Sequence, residues 1–158
     1  MKKLVLIRHA KAEKDTSKGD LNRPLKYTGI LDARFMAERM KELSFLPELL
    51  LTSPSLRTKT TAEIFSDSLS LPDAVITETI YEAGVSDLLE VVNNLPDKYN
   101  FIGLIGHNPG IAQLIDYLTS ELKEVHTSTI AVIEFEVDSW NEITQDSGKL
   151  IYYSSPKE

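Results

Sequence analysis

Four short stretches of this chain are apolar without alternation, and each stops abruptly at polar residues. Leu4-Val5-Leu6-Ile7 ends at Arg8-His9, Leu49-Leu50-Leu51 at Thr52-Ser53, Ala74-Val75-Ile76 at Thr77, and Phe101-Ile102-Gly103-Leu104-Ile105 at Gly106-His107. A strand with one solvated face alternates apolar and polar residues, whereas a strand covered on both faces reads as a continuous apolar run. Such strands belong to sheets with helices on both sides, and helical spacing does lie between these runs. Ala33, Met36, Ala37, Met40 and Leu43 follow Thr28 as an N-cap, and Ser53-Pro54 supplies a cap and first-turn proline for a helix to about Phe65. Leu88, Leu89, Val92 and Leu95 follow Ser86 or Asp87, with Asn94 to Asp97 as the stop; Asn108-Pro109 precedes Ile111, Leu114, Ile115 and Leu118. Two extended runs, Thr129 to Val137 and Lys149 to Tyr153, flank Asn141 to Gly148 and predict an antiparallel pair that closes the sheet. The expected fold is a three-layer α/β/α domain with a mostly parallel central sheet and a late antiparallel strand pair.

At 158 residues the chain fits a single domain, 1–158, and it contains no repeat, low-complexity tract or Gly/Ser linker. No segment approaches the roughly 20 apolar residues of a membrane span, so no membrane partner is expected. Met1-Lys2-Lys3 is followed by only four apolar residues before Arg8, too few for a secretory leader, and the expected location is cytoplasmic. The absence of cysteine excludes disulfides, thiolate metal sites and a thiol nucleophile. Seventeen Lys+Arg against 24 Asp+Glu give a net charge of −7. That field repels nucleic acid, so an anionic ligand must be held by a local basic pocket.

In open α/β sheets, ligands bind at the carboxyl ends of the parallel strands. That rule groups three loops: Ile7-Arg8-His9, the segment from Thr52 to Arg57, and Ile105-Gly106-His107-Asn108-Pro109. Arginine offers a planar fork of donors to phosphate oxygens and keeps its charge, and helix N-termini add backbone N–H groups. Neutral imidazole can attack phosphorus and form a phosphohistidine. His9 is the better nucleophile candidate because it directly follows the first strand; His107 can donate to phosphoryl oxygens as charge develops. An arginine in a first helical turn opposes the helix dipole, and phosphate binding gives Arg57 a reason to be there.

These motifs resemble those of the histidine phosphatase superfamily. Leu6-Ile7-Arg8-His9-Ala10 is similar to its Arg-His-Gly signature, in the Arg-His-Ala form of small phosphohistidine phosphatases of the SixA type. Ser53-Pro54-Ser55-Leu56-Arg57 with Thr61-Ala62 resembles its arginine helix, Ile105 to Pro109 its second-histidine motif, and Arg23-Pro24-Leu25 with Thr28 and Gly29 its Arg-Pro-Leu-Thr-x-x-Gly segment. Ala10 and Lys26 depart from those patterns. The resemblance implies a phosphoglycerate mutase-like fold and phosphoryl transfer without metal or cofactor. It also implies that His9 is the nucleophile, that Arg8 and Arg57 bind the phosphoryl group and that His107 completes the pocket.

Mutase-like members carry a larger insertion between the arginine helix and the second histidine than this chain has. A phosphate ester needs an acid for its alkoxide leaving group, worth roughly 10²- to 10⁴-fold. A phosphoramidate needs less, since imidazole leaves readily once protonated. The expected substrate is therefore a protein-borne phosphohistidine, with a small phosphorylated metabolite as the alternative and a non-catalytic phosphate-binding module as a third reading. Glu82 is the best acid candidate, though equally a surface carboxylate. Arg23 is either a further phosphate contact or a salt-bridging loop residue. Thr127, Ser128 and Thr129 could line the pocket, while His126, Lys11, Glu13 and Lys14 read as solvated loop residues.

Overall fold

The computed structural model describes residues 1–156. Six strands form one sheet in the order β3-β2-β4-β1-β5-β6. They are β1 (Lys2–Arg8), β2 (Leu49–Thr52), β3 (Val75–Ile76), β4 (Phe101–Gly106), β5 (Ile130–Phe135) and β6 (Gly148–Ser154). The four strands β1 to β4 run parallel, β5 pairs antiparallel with β1, and β6 pairs antiparallel with β5. The late pair thus extends the sheet beyond β1. The helices are α1 (Tyr27–Glu42), α2 (Leu56–Leu69), α3 (Val85–Asn93) and α4 (Gly110–Thr119).

Three of the four unbroken apolar runs are explained by two cores, whereas β3 lies at the sheet edge and leaves Val75 and Ile76 exposed. Leu4 and Leu6 of β1, with Leu51, Ile102 and Leu104, pack toward Leu88 and Val92 of α3 and Leu114 and Leu118 of α4. Val5 and Ile7, with Leu50 and Ile105, pack toward Met36 and Met40 of α1 and Phe65 of α2. Successive side chains of one strand enter opposite cores, which gives three layers. Packing is tight at Gly103, where a Cβ would come within 2.5 Å of a Leu50 methyl.

The helix starts differ from the sequence expectation because backbone contacts from elsewhere set them. α1 begins at Tyr27 after Lys26, not after Thr28, since the Lys26 N–H donates to the Lys11 carbonyl at 2.9 Å and Gly29 lies flush against that carbonyl. Ser55, not Ser53, caps α2, its hydroxyl accepting from the Thr58 N–H at 3.3 Å, and the helix continues past Phe65 to Leu69. Gly84 rather than Ser86 or Asp87 precedes α3, and Pro109 stands at the cap of α4 while the Asn108 amide donates instead to the Val125 carbonyl. Among the described residues, no helix is long and apolar enough to cross a membrane.

Candidate active site

Sheet register assembles the site. Arg8 lies opposite Gly106 and Thr52 opposite Ile105, so β1, β2 and β4 end at one level and the next residues, His9, Ser53 and His107, emerge side by side. The His9 and His107 rings are 5.4 Å apart between centroids. They line a pocket of about 560 Å³ together with Arg8, Arg57, Arg23 and Glu82. All six candidates from the sequence therefore meet in one cavity.

His9 is 9% exposed. Its Nδ1 lies 2.8 Å from the Ala10 carbonyl, an acceptor, which assigns the ring proton to Nδ1 and leaves the Nε2 lone pair unengaged. The Ala10 N–H is itself held by Thr61 Oγ1 at 2.9 Å, which ties this loop to α2. Burial lowers the His9 pKa to about 3, opposed by the Ala10 hydrogen bond and assisted by the fields of His107, Arg57 and Arg8. A ring neutral at working pH is the form that can attack an electrophile.

His107 is neutral too, lowered to about 4 by burial and by Arg57 against the opposing charge of Asp20. Its Nδ1 accepts from Arg57 Nη2 at 3.4 Å, so its Nε2–H donates to Ser53 Oγ at 2.7 Å. Ser53 is fully buried, and its hydroxyl lies 2.6 Å from Thr58 Oγ1 in a small cluster of hydroxyls beneath the histidine. Arg57, which can only donate, thereby selects the His107 tautomer, and Ser53 accepts the hydrogen bond from Nε2–H.

The arginines are anchored at one edge and open at the other. Arg8 Nη1 donates to the Val125 carbonyl at 2.9 Å, while its buried Nε has no partner. Arg57 donates through Nη1 to the Asp20 carbonyl at 2.8 Å and through Nη2 to Asp20 Oδ2 at 3.0 Å, and its Nε also lacks a partner. A buried donor left unpaired costs about 1–3 kcal/mol, a cost an oxyanion in the pocket would offset. Arg23 donates to the Glu13 carbonyl at 2.7 Å and to Asp20 Oδ1 at 3.2 Å, making it both salt bridge and pocket wall.

Asp20 and Tyr81 escaped the sequence reading. The Asp20 carboxylate accepts from Tyr81 Oη at 2.6 Å as well as from both arginines, and these bonds hold its pKa down at about 2, the Tyr81 bond foremost. Tyr81 is pushed up to about 12 by the same bond, with burial and Glu82 adding to it. The only local signal was the Asp20-to-Arg23 spacing; the partners 37 and 61 residues away have none. Glu82 sits at the mouth of the pocket with φ +53°, a left-handed conformation that costs a non-glycine residue about 1 kcal/mol or more. The segment after it is pinned by Gly110, where a Cβ would fall 2.5 Å from the Ala83 carbonyl.

Ser128 and Thr129 correct the sequence expectation, since neither they nor Thr127 line the cavity. They brace the end of β1 instead: the Ser128 N–H reaches the Arg8 and His9 carbonyls and the Thr129 carbonyl accepts from the Arg8 N–H at 3.2 Å. His126 lies in the loop before β5, outside the pocket, and Lys11, Glu13 and Lys14 are exposed. Among the described residues, no three His, Asp or Glu side chains converge as a metal site would require.

This architecture recurs in known proteins. The chain is similar to an uncharacterized chloroplastic protein of Arabidopsis thaliana, at 28% identity over 93% of this chain and 72% of that protein. The structure of the protein histidine phosphatase SixA complexed with tungstate superposes with a TM-score of 0.85 at 25% identity, covering 98% of this chain and 97% of that one. A mycobacterial glucosyl-3-phosphoglycerate phosphatase shares the fold at a TM-score of 0.76 and 14% identity, with 98% and 100% of the two chains covered. The sequence model of the histidine phosphatase superfamily (branch 1) matches residues 4–101, which include the Arg8-His9 strand end and the arginine helix. With most of its length matched in sequence and a SixA-like fold throughout, this chain is a phosphatase belonging to branch 1 of the histidine phosphatase superfamily.

Proposed function

We propose that the protein is a phosphohistidine phosphatase that works through His9, with residues 1–158 acting as one catalytic domain. The observation that carries this is the tautomer of His9: Nδ1–H is spent on the Ala10 carbonyl, and Nε2 faces a pocket walled by two arginines with unpartnered donors. In the first half-reaction the Nε2 lone pair forms a bond to phosphorus as the phosphorus–nitrogen bond of the substrate breaks; the departing imidazole carries the proton its nitrogen has taken up. In the second, water attacks phosphorus, the bond to Nε2 breaks, and the proton lost by water leaves with solvent or the product phosphate. Arg8 and Arg57 neutralise the equatorial oxygens throughout.

His107 enters with one condition. In the resting tautomer its Nδ1 is an acceptor, so it donates to a phosphoryl oxygen only after Nδ1 gains a proton. An arriving dianion raises its proton affinity, and a phosphoryl group that brings its own proton can supply it. No comparable source exists for a strong general acid: Asp20 is held ionised near a pKa of 2 by three donors, and Glu82 is an exposed carboxylate at the mouth. That arrangement suits a phosphoramidate, whose leaving group needs less help.

The second reading, hydrolysis of a small phosphate ester, is favoured by the strained backbone that keeps Glu82 beside the cavity. The two separate in one experiment. A histidine-phosphorylated protein and a simple ester are offered to the wild type and to His9→Ala and Glu82→Gln. The phosphohistidine reading expects an acid-labile phosphoenzyme in the wild type, loss of at least roughly 10³-fold in His9→Ala, and turnover of phosphohistidine that survives Glu82→Gln. Efficient ester cleavage abolished by Glu82→Gln, without phosphohistidine turnover, would overturn it. Stoichiometric phosphate binding with no turnover of either substrate would leave the binding-module reading instead.

A further inference from the structure

The cavity around His9 does not end at its own rim. Gln113 of α4 lines it and also lines a neighbouring hollow of about 620 Å³, and the wall passes from Gly84 in the first to Val85 in the second. The neighbouring hollow lies between α3 and α4. Val85, Leu89 and Tyr117 supply apolar surface there, and Ser86, Asp116 and Gln145 supply polar groups. The two parts of this cleft differ in charge. Three arginines line the inner part, whereas among the described residues no lysine, arginine or histidine lines the outer one. Instead the outer part carries Asp116, and Glu82 stands toward the junction; neither is in an ion pair among the described residues.

We infer that the α3–α4 hollow receives the polypeptide flanking the phosphorylated side chain and selects segments with lysine or arginine beside it. This rests on the phosphohistidine reading and adds the chemistry of the substrate around the reacting group. The phosphoryl group is neutralised by Arg8 and Arg57. A small metabolite with a second anionic group would set that group against Glu82 and Asp116, and like charges in a partly enclosed cleft repel. A peptide places its amides against Gln113, Gln145 and the hydroxyls, and lays the methylene stem of a lysine or arginine along Val85, Leu89 and Tyr117 with its charge toward Asp116.

The test uses two phosphohistidine peptides of equal length, one with lysines and one with glutamates flanking the phosphorylated residue. kcat/KM is measured for the wild type, Asp116→Asn and Asp116→Lys, at low and high salt. The expected result is a preference of about three- to tenfold for the lysine peptide in the wild type, the size of a few exposed charge contacts, shrinking as salt is raised. Asp116→Asn should reduce that preference and Asp116→Lys should erase or reverse it. Asp116 is partly exposed and, among the described residues, its carboxylate enters no ion pair, so both variants should melt like the wild type. Equal turnover of the two peptides by the wild type, or a preference that persists in Asp116→Lys, overturns the inference while leaving the phosphohistidine reading in place. Failure to cleave either peptide alongside efficient ester hydrolysis overturns that reading itself.

Discussion

Strand β1 carries a basic residue at each end, Lys2 buried and Arg8 partly buried, and the two are treated in opposite ways. At its start Lys2 is 2% exposed, and its Nζ donates to the carbonyls of Asp97 at 2.8 Å and Tyr99 at 3.1 Å and to Asn100 Oδ1 at 2.9 Å. The ammonium has three donors and finds three acceptors, over the ring of Trp140. At the other end Arg8 bonds one carbonyl and leaves a buried Nε–H without a partner, and Arg57, though held by Asp20 and His107, likewise leaves its Nε–H unpaired. The saturated end is a clasp that closes the bottom of the sheet. The unsaturated end, where the parallel strands point, keeps the donor capacity that the proposed phosphoryl group would complete. The lesson is that burial of a cation does not by itself mark a site; unmet donor capacity beside a cavity does.

The comparison can be broken by exchanging the consequences of mutation. The largest effect is expected at Arg57→Ala, which removes the proposed phosphoryl clamp and frees Asp20: kcat/KM should fall by about 10²-fold or more, while stability changes little because an unpaired buried donor is removed with the salt bridge. Steady-state kinetics beside urea melts reads both; a variant that loses stability but keeps its rate would make Arg57 another clasp. Lys2→Met should do the reverse, costing about 2–3 kcal/mol in urea unfolding as three acceptors lose their donor, with kcat/KM within about twofold of wild type.

The smallest effect is in the response to pH. Because His9 and His107 have folded pKa values of about 3 and 4 against an unfolded value near 6.5, the unfolded chain binds more protons as pH falls below about 6.5. Stability should therefore drop as pH falls from about 7 to 4, by about 1–2 kcal/mol at pH 6 for the two histidines together and by more below it. The Asp20 contribution, with its depressed pKa near 2, is retained there and lost only below about pH 4. Thermal melts of the wild type and a His9→Asn/His107→Asn double variant sharpen the contrast: the drop should flatten in the double variant, and an unchanged slope would place the acid sensitivity elsewhere.

Much of this was legible in the chain because the signals are local. The unbroken apolar runs of β1, β2 and β4 mark strands covered on both faces, and once those strands are parallel their C-terminal ends must share an edge, which brings Arg8, His9, Arg57 and His107 together on paper as in space. The run of β3 misleads, since that edge strand is exposed. Helix starts were less legible: Lys26 rather than Thr28 precedes α1 because a carbonyl fifteen residues upstream, Lys11, holds its N–H. The same limit hid Asp20, Tyr81 and Ser53. None carries a local signal for the role it plays, which it takes on only through a partner 37 to 61 residues away, and Ser53 reads in sequence only as a helix cap and part of the arginine-helix motif.

The amino-acid sequence by itself determined the layered α/β architecture, the edge at which the candidate site lies and the residue types gathered there, since hydrophobic periodicity and strand order are properties of runs of neighbouring residues. Tertiary structure alone decided what those residues are ready to do. It put the His9 proton on the side of the Ala10 carbonyl, turned His107 toward Ser53, and set Asp20 behind the arginines. Tautomers, ionisation and the direction of a guanidinium depend on distances of a few ångströms between segments remote in the chain, and only the folded chain sets those distances.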